Sequence, residues 1–141
     1  KGQSYLSATH QLTEHIQKNF ETKEMPIMNY FAPSVYARQM DAKAGDLVVS
    51  KMHKTEHLNI LLKGSISLLT EDGVVEYLEA PQVIKSKAGT KRVGYFHSDS
   101  SWLTIHPTEL TNIDEIEKEI IVPFEDEMNF IEALNKCKEL G

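Results

Sequence analysis

The sequence predicts a mostly β, single-domain protein: a small barrel or sandwich with one helix before it and helices after it. Three observations carry that prediction. Between Val35 and His106, short alternating apolar runs recur with turn residues between them. Residues 4–21 and Phe124–Leu140 instead show helical spacing. A chain of 141 residues, 40% hydrophobic and 26% charged, suits one ordinary core. The expected divisions are an N-terminal helix and linker over 1–34, a barrel over 35–108 and a helical segment over 109–141.

In the first helix Leu6, Leu12, Ile16 and Phe20 share a face, and Ser4 or Ser7 could cap it. His10 and His15 are expected on its solvated side. Pro26 and Pro33 break any helix between Glu21 and Pro33, where Ile27, Met28, Tyr30 and Phe31 read as buried. The predicted strands follow in order: VYARQM, LVVSKMHK, two within HLNILLKGSISLLT, VVEYLEA, QVIKSK, VGYFHS and SWLTIHPT. Glu71-Asp72-Gly73 marks a tight hairpin, because glycine supplies the positive φ such turns need. Thr111 or Asn112 caps a short acidic helix, and Pro123 stops what precedes it. The last helix carries Phe124, Met128, Ile131 and Leu134 as its stripe, with lysines gathered at its C-terminal end.

A net charge of -6 argues against a DNA- or RNA-binding surface. No apolar run approaches the ~20 residues of a membrane-spanning helix. Cys137 is the single cysteine, so no disulfide forms within the chain, and the cytoplasm is the expected location. There is no Gly-x-Ser-x-Gly nucleophile, no glycine-rich phosphate loop and no Cys/His zinc pattern.

The informative stretch is Gly45–Gly64. Read with period two, Lys51, His53, His57, Asn59 and Leu61 share one face, while Met52, Leu58, Ile60 and Leu62 share the other. Such a polar face is either half solvated or the lining of a pocket. Further on, Arg92 is followed two residues later by Gly94, whose missing side chain would leave room for a ligand. Trp102, Thr104 and His106 again share parity.

These spacings resemble the motifs of the cupin family. The first, G-x5-H-x-H-x3-E-x6-G, is matched in its intervals by Gly45, Lys51, His53, His57 and Gly64. The second, G-x5-P-x-G-x2-H-x3-N, is matched by Pro81, Lys87, Gly89, Arg92 and Phe96. The stretch Tyr36–His106 also looks like small phage-encoded cupin-like proteins. The resemblance implies a cupin-type jelly roll. It also implies that Lys51, His57 and Arg92 stand where two metal histidines and a glutamate would be.

Lysine and arginine are poor metal ligands beside an M2+ ion, so no metal is favoured; a divalent transition metal on His53 and His57 is the alternative. Glu56, His97 or His106 would supply a third ligand if turned inward. Read the other way, Lys51 and Arg92 with the two histidines would attract an anion, and Lys54, Lys87 and Lys91 would strengthen the field. Pairing with Glu56, Glu76 or Asp99 is the competing expectation. Asn59 could orient a neighbour by hydrogen bonding, and Tyr95, Phe96 and Trp102 either stack on a ligand or fill the core. The leading expectation is therefore a binding module that captures a small anionic molecule at Lys51, His53, His57, Asn59, Arg92, Trp102 and His106. In the phage setting suggested by the resemblance, that molecule would be a host nucleotide signal, sequestered against a defence response. The alternatives are a cupin enzyme of isomerase or dioxygenase class on a sugar phosphate or small acid, and a virion or assembly component. The reading leans away from an enzyme. A homo-oligomer is expected in each case.

Overall fold

The computed structural model describes residues 2–19, 25–70 and 72–140. Helix α1 (Gly2–Asn19) precedes nine strands: β1 (Ile27–Ala32), β2 (Val35–Ala42), β3 (Leu47–Val49), β4 (His57–Lys63), β5 (Ser65–Leu69), β6 (Val75–Glu79), β7 (Gln82–Ser86), β8 (Val93–Phe96) and β9 (Ser100–His106). Helix α2 (Ile113–Ile120), a 3-10 turn (Phe124–Asp126) and helix α3 (Glu127–Leu140) complete it. The strands form two antiparallel sheets, ordered β1-β2-β9-β4-β7 and β3-β8-β5-β6. The predicted class, a mostly β jelly roll with terminal helices, is the observed one. No helix among the described residues is long and apolar enough to cross a membrane.

Turn chemistry fixes the corners. Gly64 (φ +90°) joins β4 to β5, and Gly73 (φ +75°) turns β5 into β6, where the Asp-Gly pair predicts it. Asn112 caps α2 by accepting from the Glu115 N–H. The floor of the interior is the cluster Ala42, Leu61, Ile66, Leu68, Leu78 and Phe96. A second cluster, Leu6, Met52 and Val122, joins the terminal helices to the sheets.

Four sequence expectations are corrected. Residues 27–31 are an exposed edge strand, not buried crossing chain, because nothing among the described residues packs over Met28 or Tyr30. The run LVVSKMHK is strand only to Val49. Beyond it the chain exchanges partners: Val122 N–H donates to Met52 O, Lys54 N–H donates to Ile120 O, and His53 bridges Ile121. His10 is not on a solvated face; its Nε2 lies 2.8 Å from Glu127 Oε1 and its ring stacks on Phe124 at 4.0 Å. Gly94 lines the cavity, but Ile66 fills the place of its missing side chain: an added Cβ would lie 2.9 Å from Ile66 Cδ1. Phe20 lies outside the described residues, and His15 and Ile16 lie where no side chains are described.

Candidate functional site

The register of the five-stranded sheet arranges its inner face in layers. Ile27, Met40, Trp102 and Leu61 lie opposite one another in one row. The next row is Asn29, Arg38, Thr104 and Asn59. The third is Phe31, Tyr36 and His106, with His57 opposite Ser86 alongside. Chemistry thus changes from apolar to polar and cationic to aromatic over three steps of a period-two pattern. Between this face and the smaller sheet lies a cavity of about 440 Å³, floored by Met40, Ile66, Phe96 and Trp102. Helix α2 borders it through Ile116, Glu117 and Ile120.

The polar strip is continuous. Thr104 Oγ1 donates to Asn59 Oδ1 at 3.1 Å, and Asn59 Nδ2 donates to Ser86 Oγ at 2.6 Å. Ser86 Oγ also accepts from an Arg92 guanidinium nitrogen at 2.6 Å. Asn59, Ser86 and Thr104 are buried. Burial pulls the Arg92 guanidinium below its ordinary value without discharging it. Among the described residues Arg92 has no ion pair. Arg38 lines the same cavity and has neither an ion pair nor a hydrogen bond from its guanidinium among the described residues.

Three imidazoles form the aromatic layer. Ring centroids lie 4.1 Å apart for His53 and His57, 4.9 Å for His53 and His106, and 5.1 Å for His57 and His106. Desolvation, then the neighbouring His57 and His106, push His53 down to about 3. Burial, then His57 and Arg38, push His106 down to about 4, and burial also lowers His57. The trio is therefore uncharged near neutral pH. His57 Nδ1 donates to Thr55 O at 3.0 Å, which leaves Nε2 with a lone pair in the neutral ring. Nδ1 of His106 is buried and has no hydrogen-bond partner among the described residues. Tyr36 stacks beyond His106 and donates to Asn29 Oδ1 at 2.6 Å.

The structure therefore brings together His53, His57, Asn59, Arg92, Trp102 and His106. Lys51 stands at the rim instead: its side chain is 59% exposed and its Nζ lies 3.4 Å from Glu117 Oε1. Lys54 Nζ donates to Lys118 O, Lys87 is exposed, and Lys91 is buried elsewhere against Glu127. The cationic character comes from Arg92 and Arg38, not from lysines or histidines. Tyr95 is outside beside His97, which is exposed and bonded to Ser67, and Phe96 belongs to the core. Glu56 pairs with Lys85, and the Ala44 N–H donates to Asp99; Glu76 makes no ion pair with Arg92 among the described residues, although its charge acts on the guanidinium from a distance. Sequence reasoning missed Arg38, Tyr36 and Ser86. The alternation Tyr36-x-Arg38-x-Met40, opposite His106, Thr104 and Trp102, was the signal that could have found the first two.

No family model matches the chain, and no curated protein does. Solved structures do match. An uncharacterized conserved protein with a double-stranded beta-helix domain from Klebsiella pneumoniae aligns over 72% of this chain and 90% of its own, at 12% identity and TM-score 0.52. Protein NMB1881 from Neisseria meningitidis aligns over 69% and 95%, at 7% identity and TM-score 0.51. A cupin-2 domain containing protein from Shewanella frigidimarina aligns over 69% and 92%, at 10% identity and TM-score 0.48.

This is the double-stranded β-helix fold, as the cupin resemblance implies.

Cupins suggest a divalent metal at this place, and the donors here can be tested against one. The ring planes of His53, His57 and His106 make angles of 22–37° with one another. Among the described residues no group of three or more His, Cys, Asp or Glu is placed to hold an ion. Two guanidiniums border the same space and no carboxylate balances them there except Glu117 at the rim. In this arrangement the residues do not fit a metal ion.

Proposed function

We propose that this cupin-fold chain is a binding module whose interior captures a small anionic molecule without transforming it. The observation that carries the reading is Arg92: a guanidinium half inside a 440 Å³ cavity, anchored to Ser86 and without an ion pair among the described residues. A charge withdrawn from water in this way favours a counter-ion strongly, and the cavity is the place for one. Arg38 adds a second fork on the same face. A solid packing block, the assembly role, would have no such cavity.

The test is a thermal-shift panel of carboxylic acids, sugar phosphates and nucleotides, the last including the host-signal role the sequence resemblance suggests. Stabilisation by at least one anion is expected in the natural chain and in Lys51→Ala, and its loss in Arg92→Ala. No shift with any anion would remove the reading.

A second reading rests on His57. Its fixed tautomer leaves Nε2 unprotonated, in the state a general base needs. A metal-free isomerase of small acids would use that atom. Turnover of a bound acid, lost in His57→Gln while binding persists, would move the assignment from binding protein to enzyme.

A further inference from the structure

We infer that the ligand of this site is a flat organic monocarboxylate, its carboxylate held by Arg38 and Arg92 and its planar body resting against the ring wall of His53, His57 and His106. This rests on the anion-binding reading above and narrows it to one chemical class.

The two guanidiniums bracket a single polar strip. Arg38 lies opposite Thr104 in the sheet, Thr104 donates to Asn59, Asn59 donates to Ser86, and Arg92 donates to Ser86 from the far end. Each guanidinium is a planar fork that matches the two oxygens of a carboxylate. A phosphate chain would ask for more: further cations, or a cradle of backbone N–H groups. The lysine best placed to help, Lys51, is turned to Glu117. Glu117 itself borders the cavity mouth, and its carboxylate opposes any ligand carrying several negative charges.

The body of the ligand is read from the remaining walls. Three imidazoles whose centroids lie 4.1–5.1 Å apart, with Tyr36 stacked 6.2 Å beyond, present aromatic surface rather than a set of donors. Met40, Phe96 and Trp102 close the opposite end with apolar surface. Such walls favour a ring or conjugated system over a hydroxyl-rich sugar, whose many donors and acceptors would meet ring faces and apolar side chains beyond the one polar strip. A volume of 440 Å³ stands toward the small end of ligand pockets, which suits a single ring with a short acid arm.

The experiment uses the natural chain and calorimetry against benzoate, phenylacetate and cinnamate, with three sets of controls. Cinnamamide keeps the shape and removes the charge. 3-Cyclohexylpropanoate keeps the charge and removes the flatness. ATP and inorganic phosphate supply the other anion class. Emission of Trp102, the single tryptophan and a cavity residue, gives a second readout with phenylacetate. At least one aromatic acid is expected to saturate. Cinnamamide and the cyclohexyl acid are each expected to bind more weakly than the best aromatic acid by about tenfold or more, which is about 1.4 kcal/mol. Neither ATP nor phosphate is expected to compete. Arg38→Gln is expected to weaken the best acid about tenfold while Lys51→Ala changes it less than about threefold. Equal binding of the amide or of the cyclohexyl acid overturns the inference. So does preference for ATP or phosphate, although Arg92-dependent binding of either would leave the anion-binding reading standing. Silence from every anion would remove both.

Discussion

Nζ of Lys91 lies 2.7 Å from Oε1 of Glu127, and neither side chain is more than 4% exposed. The same oxygen is 2.8 Å from His10 Nε2, and Lys91 also sits over the Phe124 ring at 5.3 Å. One carboxylate thus ties three parts of the chain together: α1, the turn before β8, and the start of α3. Removing Lys91 or Glu127 leaves the other as a buried charge without its partner, which costs about 3–5 kcal/mol. Glu127→Ala is expected to lower the unfolding free energy by an amount of that order, read as a lower urea midpoint with the slope of the transition unchanged. Surface Lys51→Ala, which breaks only an exposed pair, is expected to cost less than about 1 kcal/mol. Equal losses in the two variants would show that the buried triad contributes nothing special.

Ser86 is the single acceptor shared by Asn59 and Arg92. Ser86→Ala deletes one oxygen and leaves a buried donor, Asn59, and a half-buried one, Arg92, unanswered. The expected loss is about 1–3 kcal/mol, from the desolvation of groups that no longer find a partner. Binding should suffer as well, because Arg92 loses the contact that aims it. A double variant with Asn59→Leu is expected to recover part of the stability and none of the binding. Chemical denaturation together with ligand titration separates the two effects.

Gly64 tests the sheet corner. Its φ of +90° is one that other residues adopt with strain, and an added Cβ would lie 2.7 Å from both Asp99 O and Ser100 Cβ. Gly64→Ala is expected to destabilise by more than about 2 kcal/mol, beyond what lost glycine entropy could return. Gly73→Ala is the comparison: its φ is also positive, but nothing lies within 4 Å of the added Cβ, so its loss should be smaller.

Much of this architecture could be read along the chain, and the reasons differ by element. Asp72-Gly73 and the Asn112 cap were legible because turn and cap chemistry is local. The face holding His57, Asn59 and Leu61 was legible as a face, but its sense was not. Polar residues point inward and Leu58 and Leu62 stand outside, the reverse of ordinary patterning. A cavity, not a core, lies behind His57 and Asn59, and period two cannot tell one from the other. Lys51 was misplaced because the alternation was carried past Val49, where the backbone leaves β8 for the segment after α2. Arg38 escaped notice because no motif contains it; only the pairing with Thr104 shows where it faces. The Lys91–Glu127 pair spans 36 positions and leaves no local trace.

Metal content follows from the geometry of the imidazoles. Among the described residues no three ligating groups are placed to hold an ion, and the adjoining guanidiniums oppose an M2+ charge. Protein purified without chelator is expected to carry less than about a tenth of an equivalent of any transition metal, since a site lacking convergent donors holds none through purification. EDTA should leave the melting temperature unchanged. Stoichiometric metal, with a melting temperature that falls on chelation, would mean that the three rings rotate to converge on an ion.

The same rings predict how stability responds to acid. His53 is held near 3 and His106 near 4, both below the ordinary 6.5, chiefly by burial, and His57 is lowered as well. The unfolded chain therefore binds protons below pH 6.5 that the folded chain refuses. Above that value both states are neutral at these positions and nothing is lost. As the pH falls from 6.5 toward the folded values, stability drops by up to about 1.4 kcal/mol per pH unit for each histidine. Arg38, Arg92 and Lys51 steepen the refusal, because each adds positive charge near the trio. Urea unfolding at pH 7 and pH 5 should show a large loss in the natural chain. His106→Asn should flatten the slope by roughly one histidine's share. A profile flat from pH 7 to pH 5 would mean that the three imidazoles are solvated and the aromatic layer is open to water.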